Sequence, residues 1–563
     1  MMMMLVGCRD DGPNTLPPAV EPLSDVERAV RISVALRGVP PDPADVAVVR
    51  KHPEALPALV DAWLDDPLFG ETVKDMYAEI LDIRADTRPI VPAAFSLADV
   101  NEAAIFKSVD EAPLRLIEDV IMSDRPLQDL LSEEHVYADE LLVRIYGLEG
   151  WDPNGPEVQP LKWIDGRPAA GVLSSSALWM RHESNGSNFN RGRANLVSDV
   201  FLCDNIGNRD VLVPGDVDLS DDEQVANEVV DNPACGSCHV QLDPLSAYFS
   251  GFKKTQHRIG IFMAHNTGCE LEIEGRSPRD WCYPLEMYDV EHAEDWVGLL
   301  PEPAFLGETG SGLGDLGRQI GEDPRFAVCA ARRFTSFLFQ KELEEVPSEL
   351  VEDYVDTLVS SGYDAKQLVK AIVLSDDFGA ARVIAPARAP LATGLLIIRP
   401  EAYARWIADL TGFTWWAFGG CEGDESGCWP VVDLARSSLY GFQSMAGGTD
   451  GFMVTSPTHT ATPTRVLVLN RLAAEGAGYV VEQDLAEADL AARRMLGEVD
   501  GTDAGVDRQI DAAWTRVFGE KPSREDRESL RGLYDIVADR DGETEAWKVV
   551  LTALFQDPRV VFY

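Results

Sequence analysis

Five consecutive residues, Cys235-Gly236-Ser237-Cys238-His239, carry the most specific chemistry in this sequence. Two thiols at this spacing can add across the vinyl groups of a haem, and the adjacent imidazole can then ligate the iron, so the porphyrin edge fixes the pattern. With nine cysteines and eight histidines in 563 residues, its chance occurrence has a probability of about 0.002. Two other chemistries use paired cysteines. A thioredoxin-like redox pair would follow a strand and open a helix in an α/β unit, whereas Asp231-Asn232-Pro233-Ala234 precedes this pair. Half of a zinc site would want a second Cys/His pair at short range, and only His257, His265 and Cys269 follow, scattered. The expected cofactor is therefore haem c, bound through Cys235, Cys238 and His239, with His239 as an iron ligand.

The other cysteines suit an exported chain. The start, Met1 to Leu5-Val6-Gly7-Cys8, ends like a bacterial lipobox, in which the cysteine is acylated, although only six apolar residues precede Gly7 and no basic segment does. A start codon placed too far downstream would account for the shortfall. Beyond Cys8, the polar, proline-bearing run Arg9 to Pro22 resembles a tether. With Cys8 assigned to lipid and Cys235 and Cys238 to haem, six cysteines remain, an even number that suits an oxidising compartment. Cys421 and Cys428 bracket a tight loop, Cys269 and Cys282 flank a polar excursion, and Cys203 and Cys329 pair by elimination; reduced, buried cysteines are the other reading.

Composition excludes several classes. The net charge of -46, from 95 acidic and 49 basic residues, repels phosphate backbones, which argues against nucleic acid as a partner. No run of 18 apolar residues occurs, so any membrane attachment is by the lipid anchor alone. Ser250-Gly251-Phe252-Lys253 lacks the partner motifs of a Ser-x-x-Lys enzyme. Asp500, Asp503 and Asp507 lack calcium-hand spacing, and there is no dinucleotide fingerprint or phosphate loop.

Helices must position the motif. A unit recurs three times: a helix, a proline-bearing turn, a second helix, then a third ending in Asp near an aromatic residue. The copies run from Ala29 to Phe69, from Arg332 to Phe378 and from Ala512 to Pro558. Asp42 before Pro43, Ser348, Asp364 and Ser523 are the expected helix caps. Leu368 and Ile372, like Leu530, Leu533 and Val537, fall on one face at helical spacing and read as core. Ala112 to Tyr146 also reads as helical. Val158 to Asn195, with Gly171-Val172-Leu173-Ser174-Ser175-Ser176, reads as extended or loop, and Thr411 to Pro463 as an irregular insertion. The expected fold is mainly α, with several helical domains, a c-type haem module and irregular insertions that local disulfides could clamp. The divisions are 1–23 lipobox and tether, 24–110 N-terminal helical domain, 111–383 haem c-like domain with a C-terminal helical module, 384–400 linker, and 401–563 C-terminal helical domain with a Trp/Cys-rich insertion.

A wider pattern carries a resemblance. Asp124-Arg125-Pro126-Leu127 to Tyr137, Leu141 to Tyr146-Gly147, Gly171-Val172-Leu173-Ser174, Asn190-Arg191-Gly192, Asn232 to His239 and Leu242-Asp243-Pro244-Leu245 follow in this order. In this the chain resembles the large cytochrome-c-like proteins of unknown function abundant in planctomycetes and myxobacteria. Ser361-Gly362-Tyr363-Asp364 and Ala371 to Asp376 are similar to that family's C-terminal module, and the first copy and last hundred residues to flanking domains of sister families. The resemblance spans Ala29 to Tyr563 and implies a helical, secreted, haem-binding protein without an established reaction. One departure concerns the sixth iron ligand: members commonly have Met-Asp-Pro where this chain has Leu242-Asp243-Pro244. Met263 is the first candidate and His265 the alternative, since both lie on one side of an extended segment. His257, Met287, Met180 and His182 follow, and an empty sixth position would favour small-ligand chemistry.

These readings converge on an exported, lipid-anchored c-type cytochrome-like protein of the bacterial cell envelope, in the periplasm or on the outer membrane. Electron transfer to an envelope redox partner is the leading expectation. A surface scaffold with structural haem, and a haem oxidoreductase acting on an exported substrate, are the alternatives.

Overall fold

The computed structural model describes residues 19–84, 97, 100–184, 190–209, 227–229, 231–253, 287–295, 301–419, 429–435, 437, 441–499 and 502–563. Cys8, His257, Met263, His265, Cys269, Cys282, Cys421 and Cys428 lie outside them, and so do the readings placed on them.

The fold is mainly helical, and the described strands form four two-stranded antiparallel pairs. All three sequence repeats are three-helix units: Asp25–Arg37, Pro43–Lys51 and Leu56–Leu64; then Pro324–Phe339, Ser348–Ser360 and Ala365–Val373; then Asp503–Phe518, Arg524–Asp541 and Glu543–Phe555. Local chemistry explains their ends. Ser24 and Glu27 form a reciprocal capping box, Asp364 accepts from the amides of Lys366 and Gln367, and Ser523 accepts from that of Asp526, which pairs first-turn amides that have no intrahelical partner. Two expected caps differ. Asp42 occupies the cap position without a side-chain bond, the fixed φ of Pro43 starting the helix. Ser348 is itself the first helical residue, with Pro347 before it. The first helix of each unit stops at a left-handed residue, Gly38, Gln340 or Gly519. At Gly38 (φ 72°) a side chain would also meet Ala402 and Arg405.

The aromatic residue at or just beyond the end of each unit, Phe69, Phe378 or Phe555, is buried. Three apolar cores result among the described residues. The largest joins the first unit (Ile32, Trp63) and the second (Phe334, Leu368) to intervening residues such as Leu173, Trp179 and Phe249. The second packs the third unit (Trp514, Trp547) against helices Pro400–Thr411 and Pro463–Ala486. A smaller core includes Ile105, Ile145, Met180 and Met287. Each large buried side chain contributes about 2–3 kcal/mol.

Charged residues join the first two cores. Arg405, on the helix Pro400–Thr411, reaches Asp75 and, at 3.0 Å, Thr72 Oγ1; Arg84 is 2.7 Å from both Asp75 and Glu111; Arg399 is 2.6 Å from Glu79. Burial would raise the Asp75 carboxyl, but Arg405 and Arg84 hold it well below the usual carboxylate range. The strand Val20–Pro22 pairs with Ala380–Val383 after the second unit. The 384–400 stretch is itself pinned, since Leu396 and Tyr563 exchange backbone hydrogen bonds.

Gly171 to Ser176 is not extended. A 3-10 turn, Gly171–Ser174, leads into the helix Ser176–Arg181, where Ser175 accepts from Leu178 N. Glycine is required at the turn's start: Gly171 has φ 55°, and a Cβ there would lie 1.9 Å from Leu130 O. Ala112 to Tyr146 is helical only in part, because Glu102–Met122 is followed by a 3-10 turn, the short strand Val136–Ala138 and the helix Glu140–Tyr146. The insertion after Thr411 contains paired strands, Trp416–Gly419 and Trp429–Asp433.

Candidate functional site

The motif lies at the start of the helix Pro233–Ala247. Asn232 caps it, accepting from Ala234 N at 2.9 Å, and Pro233 takes the first helical position, where its missing N–H costs nothing. Residues three and four apart share a helix face, so Cys235, Cys238 and His239 point the same way. Leu242 and Leu245 anchor the second half of the helix in the largest core, while the two cysteines and His239 are half-buried. Both thiols are free of disulfides, and Cys238 packs at the edge of the core, its Sγ 3.8 Å from Ile206 O.

His239 is oriented from behind. Its Nδ1 lies 3.0 and 3.2 Å from the two carboxylate oxygens of Asp243, one helical turn on. Arg191 grips the same carboxylate, with Nε 2.6 Å from Oδ1 and Nη2 3.2 Å from Oδ2, a two-pronged, charge-assisted contact. Burial raises the Asp243 carboxyl, while the His239 and Arg191 hydrogen bonds more than offset this and leave it below its usual value. His239 Nε2 makes no hydrogen bond among the described residues. Two free thiols and an imidazole with Nδ1 engaged and Nε2 open form a donor set that fits a haem c, because the iron ligand's other nitrogen needs such a partner.

A neighbouring helix, Arg191–Leu202, delivers Arg191. It begins at Asn190, in a left-handed conformation, and ends at Cys203, whose disulfide to Cys329 ties it to the second three-helix unit. The two cysteines left by elimination in the sequence are thus joined.

Of the candidates for the sixth ligand, three fall in the described residues: Met287, Met180 and His182. Met180 Sδ accepts from Tyr146 Oη at 3.2 Å within the smallest core, which also buries Met287. His182 Nε2 lies 2.7 Å from Leu81 O and so carries the proton; burial, followed by the nearby Arg181 charge, lowers its pKa to about 3. Leu242, at the place of the family methionine, is buried in the largest core.

Asp243, which contacts His239, and Arg191, which contacts Asp243, are the site residues that sequence reasoning did not single out. The His-to-Asp spacing of four was a visible signal for the first. Nothing in the sequence links Arg191 to a carboxylate 52 positions later. Among the described residues, no group of three or more potential metal-ligating side chains occurs.

Residues 23–148 match the family described as "Protein of unknown function (DUF1592)", and residues 306–378 the family described as "Protein of unknown function (DUF1585)". The first match takes in the first three-helix unit and the second match the second unit; the motif at 235–239 lies between them. No curated protein and no solved structure matches the chain. The chain therefore carries two domains of the families of cytochrome-c-like domains of unknown function found in planctomycetes and myxobacteria.

Proposed function

We propose that this chain is an exported electron-transfer protein carrying one haem c on Cys235 and Cys238, with His239 as an iron ligand. The observation that carries the reading is the motif helix, which presents both free thiols and the open Nε2 of His239 on one face while Asp243 holds Nδ1. A haem bound there supplies a one-electron iron couple. The protein's part is to hold the thiols in register on the helix, orient the imidazole and shield one side with the Leu242 and Leu245 core. Met263, or else His265, would serve as a further iron ligand, and lipid on Cys8 would tether the chain to the envelope. The partner is an envelope redox protein.

Co-expression with cytochrome maturation machinery and a reduced-minus-oxidised spectrum test this reading. A reversible low-spin band that Met263→Ala or His265→Ala converts to a carbon-monoxide-binding form is the expected result. A high-spin spectrum that already shifts with carbon monoxide in the unsubstituted protein would replace electron transfer with oxidoreductase chemistry. Protein without haem would leave a scaffold. Labelled palmitate should enter through Cys8, and a Cys8→Ser variant that stays equally membrane-bound would remove the anchor.

A further inference from the structure

We infer that Asp243 and Arg191 are positioning residues that fix the His239 ring with its proton on Nδ1, and that their opposing pulls set the donor strength of Nε2. The second half of this inference rests on the proposed haem attachment. The first half does not.

The case starts from geometry. Asp243 sits one helical turn after His239, so the backbone alone brings its carboxylate beneath the ring, 3.0 and 3.2 Å from Nδ1. An acceptor on that nitrogen selects the tautomer in which Nδ1 carries the hydrogen and Nε2 keeps its lone pair. The carboxylate cannot swing away, because Arg191 holds it through two donors from a separate helix, and that helix is tied to the second unit by the Cys203–Cys329 disulfide. Leu242 and Leu245 fix the segment from the core side. The residue behind the imidazole is therefore itself oriented, as supporting residues of a ligand usually are.

The two residues pull in opposite directions. A carboxylate accepting the Nδ1 proton gives the ring anionic character and makes Nε2 a stronger donor, which favours the oxidised metal. The Arg191 guanidinium draws on the same carboxylate oxygens and weakens that effect. Removing the charge of Asp243 and removing Arg191 should thus shift the midpoint potential with opposite signs. A merely structural contact would give shifts of one sign or none.

The experiment has two arms, both on the full chain. In the first, haem-free protein with 15N-labelled histidine is examined by NMR at mildly alkaline pH. His239 should show a protonated Nδ1 and a bare Nε2; Asp243→Asn should keep that tautomer, because the amide oxygen still accepts, and Asp243→Leu should lose it. A proton on Nε2 in the unsubstituted protein overturns the positioning claim, whatever becomes of the haem. In the second arm the potentials of the haem-loaded variants are measured. Asp243→Asn should raise the midpoint and Arg191→Leu should lower it, each by about a tenfold change in the oxidised-to-reduced ratio, about 59 mV for one electron. Arg191→Lys should restore part of the second shift and serves if the leucine variant does not fold. Shifts of the same sign, or none, overturn the claim about donor strength. Failure to attach haem would sink the proposed function, while the tautomer arm would still decide the positioning.

Discussion

Replacing both Cys203 and Cys329 by alanine should lower stability by about 3–5 kcal/mol while leaving the native fold in place. The two cysteines are 126 residues apart, and the segment they close contains the whole motif helix. For a loop of that length the chain-entropy relation gives about 5 kcal/mol at 25 °C, and native disulfides typically contribute 2–5 kcal/mol. The native junction has other supports. Arg333 donates to Val200 O at 2.9 Å and Asp199 O at 2.7 Å, and the rings of Phe201 and Phe326 stack with centroids 6.5 Å apart. The loss should therefore arise mainly in the unfolded chain, which gains freedom, rather than in native contacts. Hydrogen exchange reads this locally and does not need whole-chain two-state unfolding. Amides of the helices Arg191–Leu202 and Pro324–Phe339 that open only with the largest core should exchange about two to four orders of magnitude faster in the double variant. Treatment of the unsubstituted protein with dithiothreitol should reproduce the change and should have no effect on the variant. A difference below about 1 kcal/mol, or loss of helical circular dichroism without denaturant, would refute the reasoning.

Three other perturbations follow from the packing. Asp75→Asn leaves Arg84 and Arg405 without their shared carboxylate and should cost about 3–5 kcal/mol in urea unfolding. Because the Asp75 pKa is depressed on folding, its contribution is present above about pH 3.9 and lost on further acidification; the variant should lack this part of the acid profile. Gly171→Ala should destabilise by about 2 kcal/mol or more in the same assay, since φ is 55° and the new methyl would meet Leu130 O. His182 has a folded pKa of about 3, so the unfolded chain takes up its proton first and stability should fall as pH drops from about 6.5 towards that value. An NMR titration placing His182 near its ordinary value would contradict this.

Local chemistry made much of the helical fold legible. The three repeated units could be read because proline turns and side chains such as Asp364 and Ser523 mark helix starts within a few residues, and the helical spacing of Leu368 and Ile372 marks a buried face. Ser348 misled because a serine beside a proline suits either the cap or the first turn. Gly171 to Ser176 misled because its small residues look like a loop in sequence, yet they let backbone pack against backbone at Leu130. The motif residues were legible because two cysteines and a histidine at that spacing rarely arise by chance and match the pattern of a haem attachment site. Their support was only half legible: Asp243 follows from a helical turn, whereas Arg191 reaches it through the packing of two helices. The same holds for Arg405 and Asp75, which lie 330 residues apart. Contacts at such separations depend on the whole arrangement of helices, and no local pattern encodes them.

The most direct test of the central claim is covalent attachment of haem to the motif. The full-length protein, expressed with cytochrome maturation machinery and run on a denaturing gel, should stain for haem peroxidase activity and carry one haem per chain by pyridine haemochrome assay. Replacing Cys235 and Cys238 together by serine should abolish the stain at unchanged protein level. A full-length, exported band without haem, or one whose stain survives the double substitution, would contradict the account.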